Sequence, residues 1–226
     1  GVLLRERGIS MPVVVLNADA DSFDQMIANR LEPEIYSFRS LADFADAVSH
    51  AGETRYPVHI KLDTGMHRLG FMEGEIGRLC EVLPTLPAVK VASVFSHLNC
   101  ADMPEEDAYT REQIARYDRM SAAVAASLPY SVIRHTANSA AIERFPEARF
   151  DMCRLGLGLY GFGWEHNAGL RPVSALKTRI VQIKRLEAGD AVGYGRAGKL
   201  LRRMWTIICS ILQRLPSCWH AALRKH

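Results

Sequence analysis

Short apolar runs and amphipathic runs alternate along most of this chain. Residues 13–16 form an apolar run of strand length. Residues 22–30 then place Phe23, Met26 and Ile27 on one helical face. Residues 34–38 read as a second strand. Ser40 is positioned to cap a helix carrying Leu41, Phe44, Ala45 and Val48 at helical spacing. Residues 58–62 are strand-like. Residues 75–83 repeat the helical spacing with Ile76, Leu79, Cys80 and Leu83. A strand over 89–95 leads to a long helix over 105–126 with acids at its start, where the helix dipole favours them. Residues 131–135 and 150–155 complete six predicted strands.

Alternation of this kind predicts a parallel sheet with crossover helices. No dinucleotide-type loop follows the first strand, so a (β/α) barrel fits better than an open sheet. A closed barrel needs eight strands, and the two missing ones are expected before Gly1. The opening residues 2–8 read as a helix end closed by Gly8, as if cut from something longer. From about Arg171 the pattern changes. Residues 175–186 are rich in β-branched side chains, and 187–190 form a turn, predicting the start of an antiparallel β domain. The expected organisation is a partial (β/α)8 TIM-type barrel over 1–170, the start of a β domain over 171–199, and an aberrant tail over 200–226. The tail shows no sustained period, and a shifted reading frame or a wrongly joined gene end is the expected source.

Polar residues fall at the predicted strand ends, where barrels place their chemistry: Lys61 and Asp63, Ser96 and His97, His135 and Asn138, and Arg154. Two loops look suited to an anion. Asn138-Ser139 opens a short helix over 140–144, and Gly156-Leu157-Gly158 follows Arg154. Residues 156–161 also spell G-x-G-x-x-G. Loop-forming residues follow instead of a helix, so the dinucleotide reading is rejected.

The net charge of +3 changes little in this picture. From Lys199 onward there are six Lys and Arg and no Asp or Glu. The rest holds 22 basic and 25 acidic residues, a net of −3. That body presents no nucleic-acid patch. Five cysteines without a C-x-x-C pair predict neither a metal knuckle nor a disulfide framework, and the cytosol is the expected compartment. No apolar run reaches membrane length.

Residues 59–70, His-Ile-Lys-Leu-Asp-Thr-Gly-Met-His-Arg-Leu-Gly, resemble the alanine racemase motif K-x-D-T-G-M-x-R-L-G. Ser96-His97, residues 135–139, residues 154–161 and residues 191–195 resemble further elements of that family, in unbroken order. The resemblance implies a bacterial cytoplasmic isomerase. With pyridoxal 5'-phosphate it interconverts L- and D-alanine and supplies D-alanine for peptidoglycan and the cell wall. It implies a homodimer, with no nucleic-acid, membrane or metal partner.

By the same resemblance Arg154 meets the cofactor's pyridine nitrogen, and Asn138, Ser139, Gly156 and Leu157 surround its phosphate. His97 lies against the ring. Lys61 is a carbamylated lysine that positions Arg68, and Arg68 faces the substrate carboxylate. Tyr194 is an acid/base group serving the partner's site. The family's Schiff-base lysine lies in a strand that precedes these motifs, and a Y-A-D-G segment is expected after Tyr194; neither is found. The chain alone is therefore expected to be inactive. Two other functions stay open: a non-catalytic barrel holding pyridoxal phosphate or another phosphate ligand, and the racemase half of a fusion with a cell-wall ligase. Singly, each residue also has a plain role: Lys61 as a strand-end lysine, residues 63–65 as a turn, His97 as a buried histidine, Tyr194 as a core tyrosine.

Overall fold

In a computed structural model of the chain, five strands pair in parallel, in sequence order. They are β1 (Val14–Val15), β2 (Glu32–Ile35), β3 (Tyr56–Lys61), β4 (Val89–Phe95) and β5 (Ile133–His135). Doubly wound sheets reverse strand order at a switch point. An order that runs 1 to 5 without reversal is that of a barrel wall. The structure describes residues 1–226 except 165–168, 175–179, 193–197, 200–203 and 210–226. For Ile180, Val181, Gly198, Lys199 and residues 204–209 it describes the backbone alone.

Helix α1 (Val2–Glu6) precedes the sheet, and α2 (Phe23–Ala28), α3 (Phe38–His50), α4 (Ile76–Val82) and α5 (Asp107–Ala126) connect its strands. α3 shows how sequence dictates placement. Leu41, Phe44, Ala45 and Val48 fall on one stripe and are buried. They pack with Val58, Ile60, Val91 and Val94 of the sheet. The Phe44 ring stands edge-on to Phe23 and Tyr56. The cap, however, is Ser37 and not Ser40. Ser37 accepts from the Ser40 N–H while Ser40 Oγ accepts from the Ser37 N–H, a reciprocal capping box. Strand β2 accordingly ends at Ile35, three residues before the predicted end at Phe38.

The predicted sixth strand, 150–155, is not a strand. Phe150 takes a φ of 44°, which breaks an extended ladder at its first residue. Two backbone bonds, from the Asp151 N–H to the Arg134 carbonyl and from the Arg154 N–H to the Ala137 carbonyl, tie the segment to the β5 side, and the Arg134 N–H donates to Asp151 Oδ2. These ties still place Arg154 beside His135.

The inner face of the sheet is polar. Opposite the helix-facing Val58, Ile60, Val91 and Val94, the sequence supplies Glu32, Glu34, His59, Lys61, Ser93 and His135. Of these, Glu34, His59, Lys61, Ser93 and His135 are buried. A bulge decides this arrangement: Val58 pairs with Val91, but His59 pairs with Ser93. Ala92 is the extra residue, and the slip turns Ser93 and Phe95 inward.

The chain divides into two compact units, Gly1–Pro172 and Val173–His226. In the second, β6 (Ile180–Leu186) pairs antiparallel with β9 (Met204–Cys209), and β7 (Ala191–Val192) pairs antiparallel with β8 (Gly198–Lys199). The predicted turn over 187–190 is present. Asp190 Oδ2 accepts from the Glu187 N–H, and Gly189 takes a φ of 95°. Strand β9 lies in the stretch read as an aberrant tail without a sustained period. Among the described residues no helix is long and apolar enough to cross a membrane.

Candidate functional site

A cavity of about 950 Å³ opens at the C-terminal ends of the first unit's strands. Lys61, Arg68, His97, Asn138, Ser139, Arg154, Gly156 and Leu157 all line it. The sequence thus names residues from four loops that the fold brings to one place. Tyr194 lies outside the described residues.

Lys61 ends β3, and the loop after it turns back on itself. The Phe71 N–H donates to the Lys61 carbonyl and the Asp63 N–H to the Phe71 carbonyl. Asp63 Oδ1 accepts from the Gly65 and His67 N–H groups and holds the turn from within. Gly65 and Gly70 take φ of 135° and 127°, which only glycine adopts at little cost. At Gly70 a Cβ would meet the Asp63 backbone nitrogen at 2.6 Å. The turn delivers Arg68 back to the cavity that Lys61 lines. Among the described residues Arg68 has no carboxylate partner.

Arg154 is anchored by four acceptors. Nη2 donates to the Ser96 carbonyl (2.6 Å) and the Thr136 carbonyl (3.1 Å). Nη1 donates to His135 Nδ1 (2.7 Å) and the His135 carbonyl (3.3 Å). Four of its five donors are thereby directed into the protein. Among the described residues, Nε–H is left without an acceptor. Burial lowers Arg154 to about 10, so the guanidinium stays charged at neutral pH. His97 Nδ1 stands 3.4 Å from Nη2. Burial, then the nearby charge of Arg154, Lys61 and Arg68, holds His97 down at about 4, so it is neutral.

The two predicted anion loops meet at one atom. Ser139 Oγ accepts from the Gly156 N–H (2.9 Å) and the Gly158 N–H (3.2 Å). Residues Leu157–Tyr160 form a 3₁₀ turn, so no helix follows the glycines as a dinucleotide site requires. Asn138 is the N-cap of α6 (Ser139–Arg144). Its Oδ1 accepts from the Ala141 N–H, and its Nδ2 donates to the Leu98 carbonyl.

Glu34 and Phe95 are among the lining residues that sequence reasoning missed. Glu34 Oε1 stands 3.8 Å from Lys61 Nζ, and its Oε2 accepts from the Asn17 N–H. Phe95 forms an aromatic floor: Lys61 Nζ and Arg154 Cζ lie 4.6 and 5.3 Å from its ring centre, and His135 stacks on it. For Glu34 the available signal was period-two alternation, which puts it with Glu32 on a face that a strand buried among helices would fill with apolar residues. Phe95 carried no such signal, because the bulge at Ala92 decides its face.

A model of the N-terminal domain of alanine racemases matches residues 1–163. The chain belongs to the alanine racemase N-terminal-domain family. Alanine racemase of Symbiobacterium thermophilum is 36% identical over 211 residues, covering 90% of this chain and 55% of its own. That of Syntrophobacter fumaroxidans is 35% identical over 197 residues, covering 85% and 52%. The solved alanine racemase of Clostridium difficile 630 superposes with a TM-score of 0.70 at 29% identity, covering 92% of this chain and 56% of that one. The enzyme from D-cycloserine-producing Streptomyces lavendulae gives 0.71 at 26%, covering 90% and 56%. The chain spans about half the length of the curated relatives it matches. The family's N-terminal domain is a TIM-type barrel, and the five parallel strands are part of its wall.

Proposed function

We propose that this chain carries the cofactor-holding part of an alanine racemase and binds pyridoxal 5'-phosphate in the cavity it encloses. The observation that carries the reading is Arg154. It is fixed by three carbonyls and an imidazole, with one donor, Nε–H, left for a ligand at a cavity-lining position. The residues present fit the cofactor. Two arginines, Arg68 and Arg154, line one cavity together with Lys61. That charge suits a phosphate and a substrate carboxylate together. Phe95 supplies an apolar surface beneath them.

In this reading Arg154 would hold the pyridine nitrogen through Nε–H. An arginine remains charged and does not share an acidic proton, so it donates a hydrogen bond and leaves that nitrogen unprotonated. Asn138, Ser139, Gly156 and Leu157, which line the cavity together, would surround the phosphate. Pyridoxal phosphate, when bound, draws electrons from the amino acid's α-carbon and so acidifies its proton. Arg68 holds the substrate carboxylate. The neutral amine of Lys61 adds to carbon dioxide through a new N–C bond and releases one proton to solvent, and the resulting carbamate would support Arg68. His97 stays neutral beside Arg154. Tyr194 moves a proton at the α-carbon in the partner's site, so activity belongs to a homodimer in the cytoplasm of a bacterium, supplying D-alanine for the cell wall. Residues 1–170 form the cofactor-holding barrel and 171–199 the start of the β domain that carries Tyr194.

Equilibrium dialysis of the chain against pyridoxal 5'-phosphate, and against pyridoxal without the phosphate, tests this reading. Saturable binding of the phosphate form is expected, weakened at least about tenfold in Arg154→Leu and in Ser139→Ala, each side chain supplying charge-assisted or convergent hydrogen bonds. Equal binding of the two forms, or no response to either substitution, would overturn it.

A further inference from the structure

Behind Arg154 a line of buried polar groups crosses four strands. His135 Nε2 stands 3.0 Å from Ser93 Oγ. Ser93 Oγ stands 2.7 Å from His59 Nδ1, and His59 Nε2 stands 2.8 Å from Glu32 Oε2. Ser93 is 1% exposed, His135 4% and His59 8%. The cavity does not reach these three groups or Glu32, and the proposed chemistry does not use them.

Elementary donor counting gives this line one direction. A guanidinium has no acceptor, so the contact with Arg154 Nη1 requires a bare Nδ1 on His135. The His135 proton is then on Nε2 and points to Ser93. Ser93 accepts it and keeps one hydroxyl proton, which a neutral His59 receives at Nδ1. That ring then carries its own proton on Nε2, facing the Glu32 carboxylate, which only accepts. With both rings neutral, one end of the line only donates and the other only accepts, so no link reverses alone.

We propose that Glu32, His59, Ser93 and His135 form a positioning relay that locks His135 in its Nε2–H tautomer and so holds the Arg154 guanidinium with Nε–H toward the cavity. Burial and the Arg154 charge hold His135 at about 3, which keeps the ring neutral as the relay requires. Without Ser93, His135 gains freedom to place its proton on Nδ1, where it would confront an Arg154 donor. The bulge at Ala92 is what brings Ser93 into the line. The tautomer assignment stands on geometry alone; the purpose given to Arg154 Nε–H rests on the cofactor reading above.

The test uses the full chain, labelled with ¹⁵N-histidine and free of cofactor. Nitrogen NMR is expected to show His59 and His135 both neutral, both protonated at Nε2. Ser93→Ala should give mixed tautomers at His135, and Ser93→Thr, which keeps the hydroxyl, should restore the single form. Protonation of either ring at Nδ1 in the unsubstituted chain overturns the relay, whether or not the variant folds. An unchanged His135 in Ser93→Ala also overturns it. In the dialysis assay Ser93→Ala should weaken pyridoxal 5'-phosphate binding roughly three- to tenfold, the worth of one net hydrogen bond, with rescue by Ser93→Thr. A changed tautomer with unchanged affinity would overturn the positioning role. If the unsubstituted chain binds no pyridoxal 5'-phosphate yet shows the stated tautomers, the cofactor reading falls and the relay stands.

Discussion

Lys61 Nζ stands 3.8 Å from Glu34 Oε1, with both side chains nearly out of solvent on the inner face of the sheet. Burial pulls the lysine down to about 8. Glu34 opposes the shift, and the neighbouring Arg154 and Arg68 add to it. At pH 7.5 roughly a quarter of Lys61 would then be neutral amine, against about 0.1% for an ordinary lysine. Only the neutral amine attacks carbon dioxide or an acylating reagent. Acetylation followed by mass spectrometry should show Lys61 reacting with a midpoint near pH 8. A ¹³C-carbonate solution should give a carbamate signal lost in Lys61→Arg. Glu34→Gln removes the group that favours the charge, so the midpoint should fall further. A Lys61 midpoint near that of surface lysines would refute the assignment.

His97 and His135 are both neutral in the fold, held at about 4 and about 3. Their unfolded values lie near 6.5. Below that pH the unfolded chain takes up protons that the native chain refuses. Stability is therefore full above about pH 6.5 and falls as the pH drops toward 4. At pH 5 the loss is about 2 kcal/mol for each histidine. Urea unfolding at pH 7 and pH 5 should resolve it, and His135→Gln should remove about half of the acid-dependent loss. A variant with the full pH slope would contradict the shift at His135.

Gly70→Ala tests the turn that returns Arg68 to the cavity. A Cβ there meets the Asp63 backbone nitrogen at 2.6 Å, at a φ of 127°. The expected cost is about 2–4 kcal/mol, with early proteolysis between residues 62 and 71. Gly74→Ala, where a Cβ meets nothing within 4 Å, is the matched control and should change stability little.

Ser37→Ala removes the capping box of α3. A loss of about 1 kcal/mol is expected, read as a lower urea midpoint with an unchanged slope. If Ser40 were the cap, as its place in the sequence suggests, Ser37→Ala would be nearly silent.

The sequence by itself determined the alternation of strands and helices, because each helix buries a stripe at the 3.6-residue period that its own residues spell out. Leu41, Phe44, Ala45 and Val48 could face only one way. It also determined which loops hold polar groups: the family motif places Lys61 and Arg68 in one turn. The tertiary structure alone decided what lies beneath. A strict two-residue period through β4 puts Val89, Val91, Ser93 and Phe95 on one face, and only the bulge at Ala92, set by pairing with β3, parts the valines from Ser93 and Phe95. For the same reason Glu32 and His59 read as unrelated polar residues 27 positions apart, yet they meet at 2.8 Å once β2 and β3 pair. The segment over 150–155 has strand-like composition, but a positive φ at Phe150 ends the ladder there, and composition does not report φ. Periodicity is a local property of one element. Register, bulges and the partners of a buried charge belong to pairs of elements, and they exist only after the chain has folded.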